Sequence, residues 1–200
     1  MKNKIAAALL LLIGLHCMAR PSYAKNVVFG SGVAIDLPAY KSKRVNSDGS
    51  VCIDVSRVGV IATICLYGKP TDEIVQDNGF IKYKNLSPKG VRQVPLLPDD
   101  AFVYAEGGYS FLYPTSKKRI GDFIAYEAGN VLCKGDSDAG EHPAVCYVAA
   151  LVPAKNPNMN PMFFVSAVIE QPPTPGGRLG KNAMGKVWGI NSIIKSIKID

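Results

Sequence analysis

The chain has 200 residues, with 23 lysines and arginines against 16 aspartates and glutamates, a formal charge of +7, 5 cysteines and 2 histidines. After residue 24 no stretch reaches the roughly 18 apolar residues a membrane helix needs. The length suits one domain with a real core.

Residues 1–24 read as a secretory signal. Lys2 and Lys4 start it, residues 5–15 are apolar, and Ser22-Tyr23-Ala24 is a small-x-small site that places cleavage after Ala24. Its removal takes away three basic residues (Lys2, Lys4, Arg20) and no acidic one, so +7 becomes +4. That charge is mild, and export argues against nucleic acid as a partner. His16 and Cys17 leave with the signal. The mature chain keeps one histidine, which excludes two-histidine catalysis and multi-histidine metal sites. The lysine-started signal is of bacterial type and gives the periplasm as the address. Residues 25–200 form the single mature domain.

Short bursts rich in Val, Ile, Phe and Tyr, bounded by Gly, Pro, Asn and Asp, predict strands. In chain order these cover 33–37, 51–55, 58–67, 102–104, 109–113, 123–126, 145–152 and 162–169, with Ser56-Arg57 as a tight connection. Thr71 is placed to cap a helical turn over 71–75. The stretches 153–161 and 172–180 read as exposed loops. Asn182 is the expected cap of a helix over 183–197, with Trp188 packed in the core beneath it. Residues 198–200 suit a last strand. Basic runs at 41–44 and 117–119 read as solvated turns. The fold class expected is α+β, a mainly antiparallel sheet packed with a few helices.

The mature cysteines are Cys52, Cys65, Cys133 and Cys146. Their even number in an oxidising compartment implies two disulfides. Both near-neighbour gaps are 13 residues and span expected hairpins, which favours Cys52–Cys65 and Cys133–Cys146. Each loop of that size stabilises by ~3 kcal/mol on the chain-entropy account. A weak repeat runs through the chain. Residues 32–38 and 108–114 both read glycine, alternating apolars and proline, each followed by basics and then by a cysteine pair.

Three phrases carry a family resemblance. They are Gly32-Val33-Ala34-Ile35-Asp36-Leu37-Pro38-Ala39, Phe163-Phe164-Val165-Ser166-Ala167-Val168-Ile169-Glu170 and Ile193-Ile194-Lys195-Ser196-Ile197-Lys198-Ile199. They resemble the first strand, a late central strand and the closing helix and strand of the PsbP-like fold, which includes the bacterial DcrB-like proteins. The resemblance implies a non-enzymatic accessory or partner-binding protein. Exported bacterial proteins of this build also include immunity proteins that neutralise antibacterial toxins of secretion systems.

The sharpest local feature lies between Cys133 and Cys146, where Asp136, Ser137, Asp138, Glu141 and His142 share one polar loop. A loop stapled at its base loses less entropy on binding, so these five residues are the candidate partner-binding site. Its carboxylates suit a basic enzyme cleft, and His142 suits a catalytic or metal group there. The loop fails the calcium pattern, because Gly140 stands where the third oxygen ligand belongs and Glu141 where the glycine after it belongs. With one histidine and no GxSxG spacing, hydrolase chemistry has little support. The reading is a non-enzymatic binder without cofactor or metal. Its partner is a protein, a secreted bacterial effector or hydrolase, as expected of a periplasmic immunity or inhibitor protein of a type VI secretion-like system. A DcrB-like envelope accessory and a small-ligand carrier, with an apolar pocket between sheet and helix, are the alternatives.

Overall fold

The computed structural model describes residues 25–28, 34–37, 40–92, 94–106, 111–137, 140–171 and 179–199. The side chains of 25–28, 34–37, 91, 134–137 and 140–142 fall outside that description, as does the expected signal at 1–24.

Thirteen strands and three α-helices follow in chain order among these residues. The first half holds β1 (Lys25–Val28), β2 (Ala34–Leu37), β3 (Tyr40–Val45), β4 (Val51–Arg57), β5 (Val60–Leu66), α1 (Asp72–Asp77), β6 (Phe80–Lys82) and α2 (Pro88–Val91). Next come β7 (Phe102–Glu106), β8 (Phe111–Pro114), β9 (Ser116–Ile120), β10 (Phe123–Ser137) and β11 (Gly140–Pro153). The chain closes with β12 (Phe163–Glu170), α3 (Lys181–Ser196) and β13 (Lys198–Ile199). The α+β class with a mainly antiparallel sheet is the class expected from the sequence.

A seven-stranded sheet in the order β3-β4-β5-β12-β11-β10-β9 is the frame. Two three-stranded sheets, β1-β2-β13 and β6-β7-β8, flank it. The alternating strands sort their side chains onto two faces. On one face Ile53, Val55, Ile64, Leu66, Phe123, Leu151 and Phe163 pack against Ile190, Ile193 and Ile194 of α3. On the other, Tyr126, Val148, Ala150, Val152 and Phe164 meet Phe80, Phe102 and Val75, from β6, β7 and α1. Burying a side chain of this size is worth ~1.5–3 kcal/mol. The sheet is therefore held from both faces.

The repeat has a counterpart in the topology. Strands β2 and β8 each lie in a small sheet and lead into a basic strand, β3 or β9, at an edge of the large sheet. Each then continues into a disulfide-bonded hairpin, β4–β5 or β10–β11, running inward from its edge. Strand β12 lies between the two meanders. The basic runs read as turns are thus edge strands. Their lysines and arginines leave the strand's free side unattractive to another chain.

Three further expectations are corrected. The β4–β5 connection is Val58-Gly59 rather than Ser56-Arg57, because the ladder runs on to Arg57 opposite Val60. Both turn residues have positive φ, 50° and 70°, as a two-residue hairpin turn demands. Valine pays for that conformation in strain. Val58→Asn is expected to raise stability by ~1 kcal/mol, seen as a melting temperature ~2–4 °C higher in calorimetry; an unchanged or lower value refutes the strain.

The last helix starts at Lys181, earlier than expected, because the Gly180 carbonyl already accepts from Met184 N at 3.2 Å; Gly180, not Asn182, is its cap. Trp188 is not in the core. It is 65% exposed. The buried stripe runs through Gly189, where the helix backbone closes on the β4–β5 turn. A Cβ there would sit 3.2 Å from both Arg57 O and Val58 Cβ. That contact turns Trp188 outward. By contrast, Thr71 caps α1 as expected, its Oγ1 accepting from Ile74 N at 3.2 Å.

Candidate functional site

The expected disulfides, Cys52–Cys65 and Cys133–Cys146, are both formed. Cys52 and Cys65 stand directly opposite across β4–β5, with Cα atoms 4.0 Å apart. Cys133–Cys146 crosses β10–β11 diagonally, with Cα atoms 5.9 Å apart.

The second bridge marks the root of an arm. Strand β9 pairs with β10 only from Phe123 to Glu127, and β12 pairs with β11 only as far as Val145. The β10–β11 ladder continues past both, from Cys133↔Ala144 to Ser137↔Gly140. At ~3.4 Å per residue this two-stranded extension reaches ~15 Å beyond the sheet. An isolated two-stranded ribbon is marginal in water. The disulfide at its root keeps the register where the supporting strands end.

The segment expected to be a loop is therefore mostly strand. Its register sets Asp136 opposite Glu141, His142 opposite Gly135 and Ser137 opposite Gly140. Four of the five candidate residues, Asp136, Ser137, Glu141 and His142, are thus brought together by backbone pairing at the arm's end. Asp138 lies outside the described residues, as do the side chains of the other four.

Two polar clusters escaped sequence reasoning, because their members meet only through cross-strand register. Asp54 accepts from Thr63 Oγ1 at 2.7 Å, from Arg44 Nη1 at 3.1 Å and from Ser42 Oγ. Burial pushes its carboxyl up, but the hydrogen bonds of Ser42 and Thr63 and the Arg44 charge outweigh that, and it sits below its ordinary value. A carboxylate so fully occupied ties β3, β4 and β5 together and has little basicity to offer a substrate. On the α3 face, the buried Tyr147 hydroxyl donates to Glu127 Oε2 at 2.6 Å, and Lys118 pairs with the other carboxylate oxygen. The network runs from the buried Tyr147 hydroxyl outward to Lys118 on the edge strand β9.

No family model, curated protein or solved structure matches this chain. The functional reading therefore rests on its own geometry.

A groove of about 480 Å³ opens between the large sheet and the β6-β7-β8 sheet. Asn78, Phe80, Tyr104, Glu106, Phe164 and Ser166 are among its lining residues. Burial and the neighbouring Glu106 raise the Tyr104 hydroxyl's pKa, so it remains a neutral donor. The carrier alternative placed a pocket between sheet and helix. There Ile190, Ile193 and Ile194 are fully buried, and the groove lies on the opposite face. Among the described residues no three His, Cys, Asp or Glu side chains converge as a metal set, and no helix is long and apolar enough to cross a membrane. The two disulfides fit a secreted protein.

Proposed function

We propose that this chain is a periplasmic protein-binding domain, an immunity or inhibitor protein that neutralises an antibacterial effector of a type VI secretion-like system by occluding its active site. The observation that supports this reading is the stapled arm. It is narrow, it extends beyond the sheet, and it carries Asp136, Glu141 and His142 in its last pairs, with Asp138 following Ser137 in the sequence. Asp136 and Glu141 stand opposite each other, and like charges so placed destabilise a ribbon. That cost is offset when a basic cleft receives them. The arm's covalent root lowers the entropy lost on binding. The single mature histidine leaves the chain poorly equipped for acid–base catalysis of its own.

The experiment is capture of secreted and envelope proteins on the immobilised, oxidised protein, followed by mass spectrometry. One hydrolase retained in a fixed ratio and resistant to salt is the expected result. Joint replacement of Asp136, Asp138, Glu141 and His142 by alanine is expected to weaken that capture at least 100-fold, the scale of a lost hot spot. Undiminished binding by the quadruple variant refutes the arm as the contact.

The groove favours a second reading, a small-ligand carrier without a toxin target. Its volume falls within the usual range for ligand sites, ~300–1,000 Å³. A ligand that copurifies with the protein and is displaced by Ser166→Trp supports that reading over the first.

A further inference from the structure

Helix α3 turns a stripe of four residues away from the protein: Lys181, Met184, Trp188 and Lys195. Their spacings of three, four and seven residues return to one side of a helix. Met184 is 64% and Trp188 65% exposed. The opposite side of α3 already fills the core through Ala183, Ile190, Ile193 and Ile194, so the fold does not explain these two large apolar side chains. Val58, 53% exposed on the turn packed against Gly189, extends the apolar surface.

Along the helix itself the charge has one sign, although the Glu170 carboxylate accepts from Gly180 N at 3.2 Å at its N-terminal end. Between Lys181 and Ile199 there are four lysines and no aspartate or glutamate. Lys198 pairs with Asp122 at 3.3 Å. Among the described residues Lys181, Lys186 and Lys195 have no carboxylate partner. Arg57 adds a fifth cation beside the helix, its guanidinium donating to Ser192 O at 3.5 Å.

We infer that this side of α3 docks on an anionic bilayer surface. The helix lies in the interface plane. Met184 and Trp188 enter the boundary between headgroups and acyl chains, and the flanking lysines reach lipid phosphates. The chemistry favours lipid over protein as the occupant. Protein interfaces are depleted in lysine, whereas lysine snorkels to headgroups and tryptophan concentrates at membrane interfaces. The surface shares no residue with the arm, and the inference does not depend on the arm's partner.

Trp188 is the only tryptophan of the chain, so its emission reports on this site alone. The purified, disulfide-bonded protein is titrated with vesicles of phosphatidylcholine alone and of phosphatidylcholine mixed equally with phosphatidylglycerol. Emission shifting to the blue, together with co-sedimentation, is expected with the anionic vesicles and not with the neutral ones, and added salt weakens both. The double variant Lys181→Gln, Lys195→Gln keeps the fluorophore and is expected to bind roughly 30-fold more weakly. Trp188→Ser is expected to lose co-sedimentation as well. Circular dichroism confirms that both variants fold. The inference is overturned if neither vesicle shifts the emission. Equal binding to both vesicles also overturns it. So does a blue shift that grows with protein concentration in the absence of lipid, which assigns the surface to a second copy of the chain.

Discussion

Phe163→Ala is expected to cost ~3–5 kcal/mol and to lower the melting temperature of the oxidised protein by roughly 10 °C. Phe163 is fully buried on β12, which lies between the two halves of the large sheet. Its backbone registers with Leu66 on one side and Leu151 on the other. Its ring stands edge-on to Phe123, with centroids 5.3 Å apart, so the substitution removes an aromatic contact as well as burial. The cavity opens beneath α3, where close-packed isoleucines have little freedom to collapse into it. Trp188→Ala is the control. It deletes a larger side chain but is expected to change stability by no more than ~0.5 kcal/mol, because that side chain is mostly in solvent. Equal losses in the two variants would contradict the placement of either residue.

That contrast shows what periodicity conveys and where it stops. Alternation of Val, Ile and Phe made the strands around Val51, Phe102 and Phe163 readable. The repeated gap between cysteines made both disulfides readable. For α3, the spacing of apolar residues fits two overlapping stripes, and Trp188 joins either one on paper. What decides is Gly189, whose missing side chain lets the helix backbone meet Arg57 and Val58. That is a contact between distant segments that no local pattern encodes. The edge strands β3 and β9 were hidden by the lysines and arginines that protect them, since charge on an edge looks the same as charge in a turn.

The candidate site was readable in composition but not in shape. Its polar residues between two cysteines stand out in the sequence. Gly135, Pro143 and Gly140 break any strand pattern there, so the arm as an extended ladder was not visible. The Asp54 cluster was hidden more deeply. Ser42, Arg44 and Thr63 come together only once β3, β4 and β5 are in register.

Tyr147 predicts a sensitivity to alkali that Tyr147→Phe removes. The ring is fully buried, and its hydroxyl donates to Glu127 Oε2 at 2.6 Å, with Asn191 Oδ1 at 3.5 Å as a further acceptor. Burial, followed by the Glu127 charge and the hydrogen bond to it, raises the hydroxyl's pKa far above its ordinary 10.0. In the unfolded chain the same group ionises near 10. The native state therefore keeps a proton that the unfolded state releases above that pH. The contribution is complete below pH ~10 and declines as pH climbs toward the native value, by about 1.4 kcal/mol for each unit. By pH ~12 the wild type should lose ~2–3 kcal/mol through this group alone. Tyr147→Phe has no such proton. It also loses the hydrogen bond to Glu127, which costs ~1–2 kcal/mol at neutral pH. The Lys118 pair with Glu127 remains in both proteins. The variant is then the weaker protein at pH 8 and the stronger one near pH 12. Urea unfolding followed by far-ultraviolet circular dichroism at pH 8, 10 and ~12 measures the two curves. Parallel curves with no crossing would mean that the Tyr147 hydroxyl meets solvent.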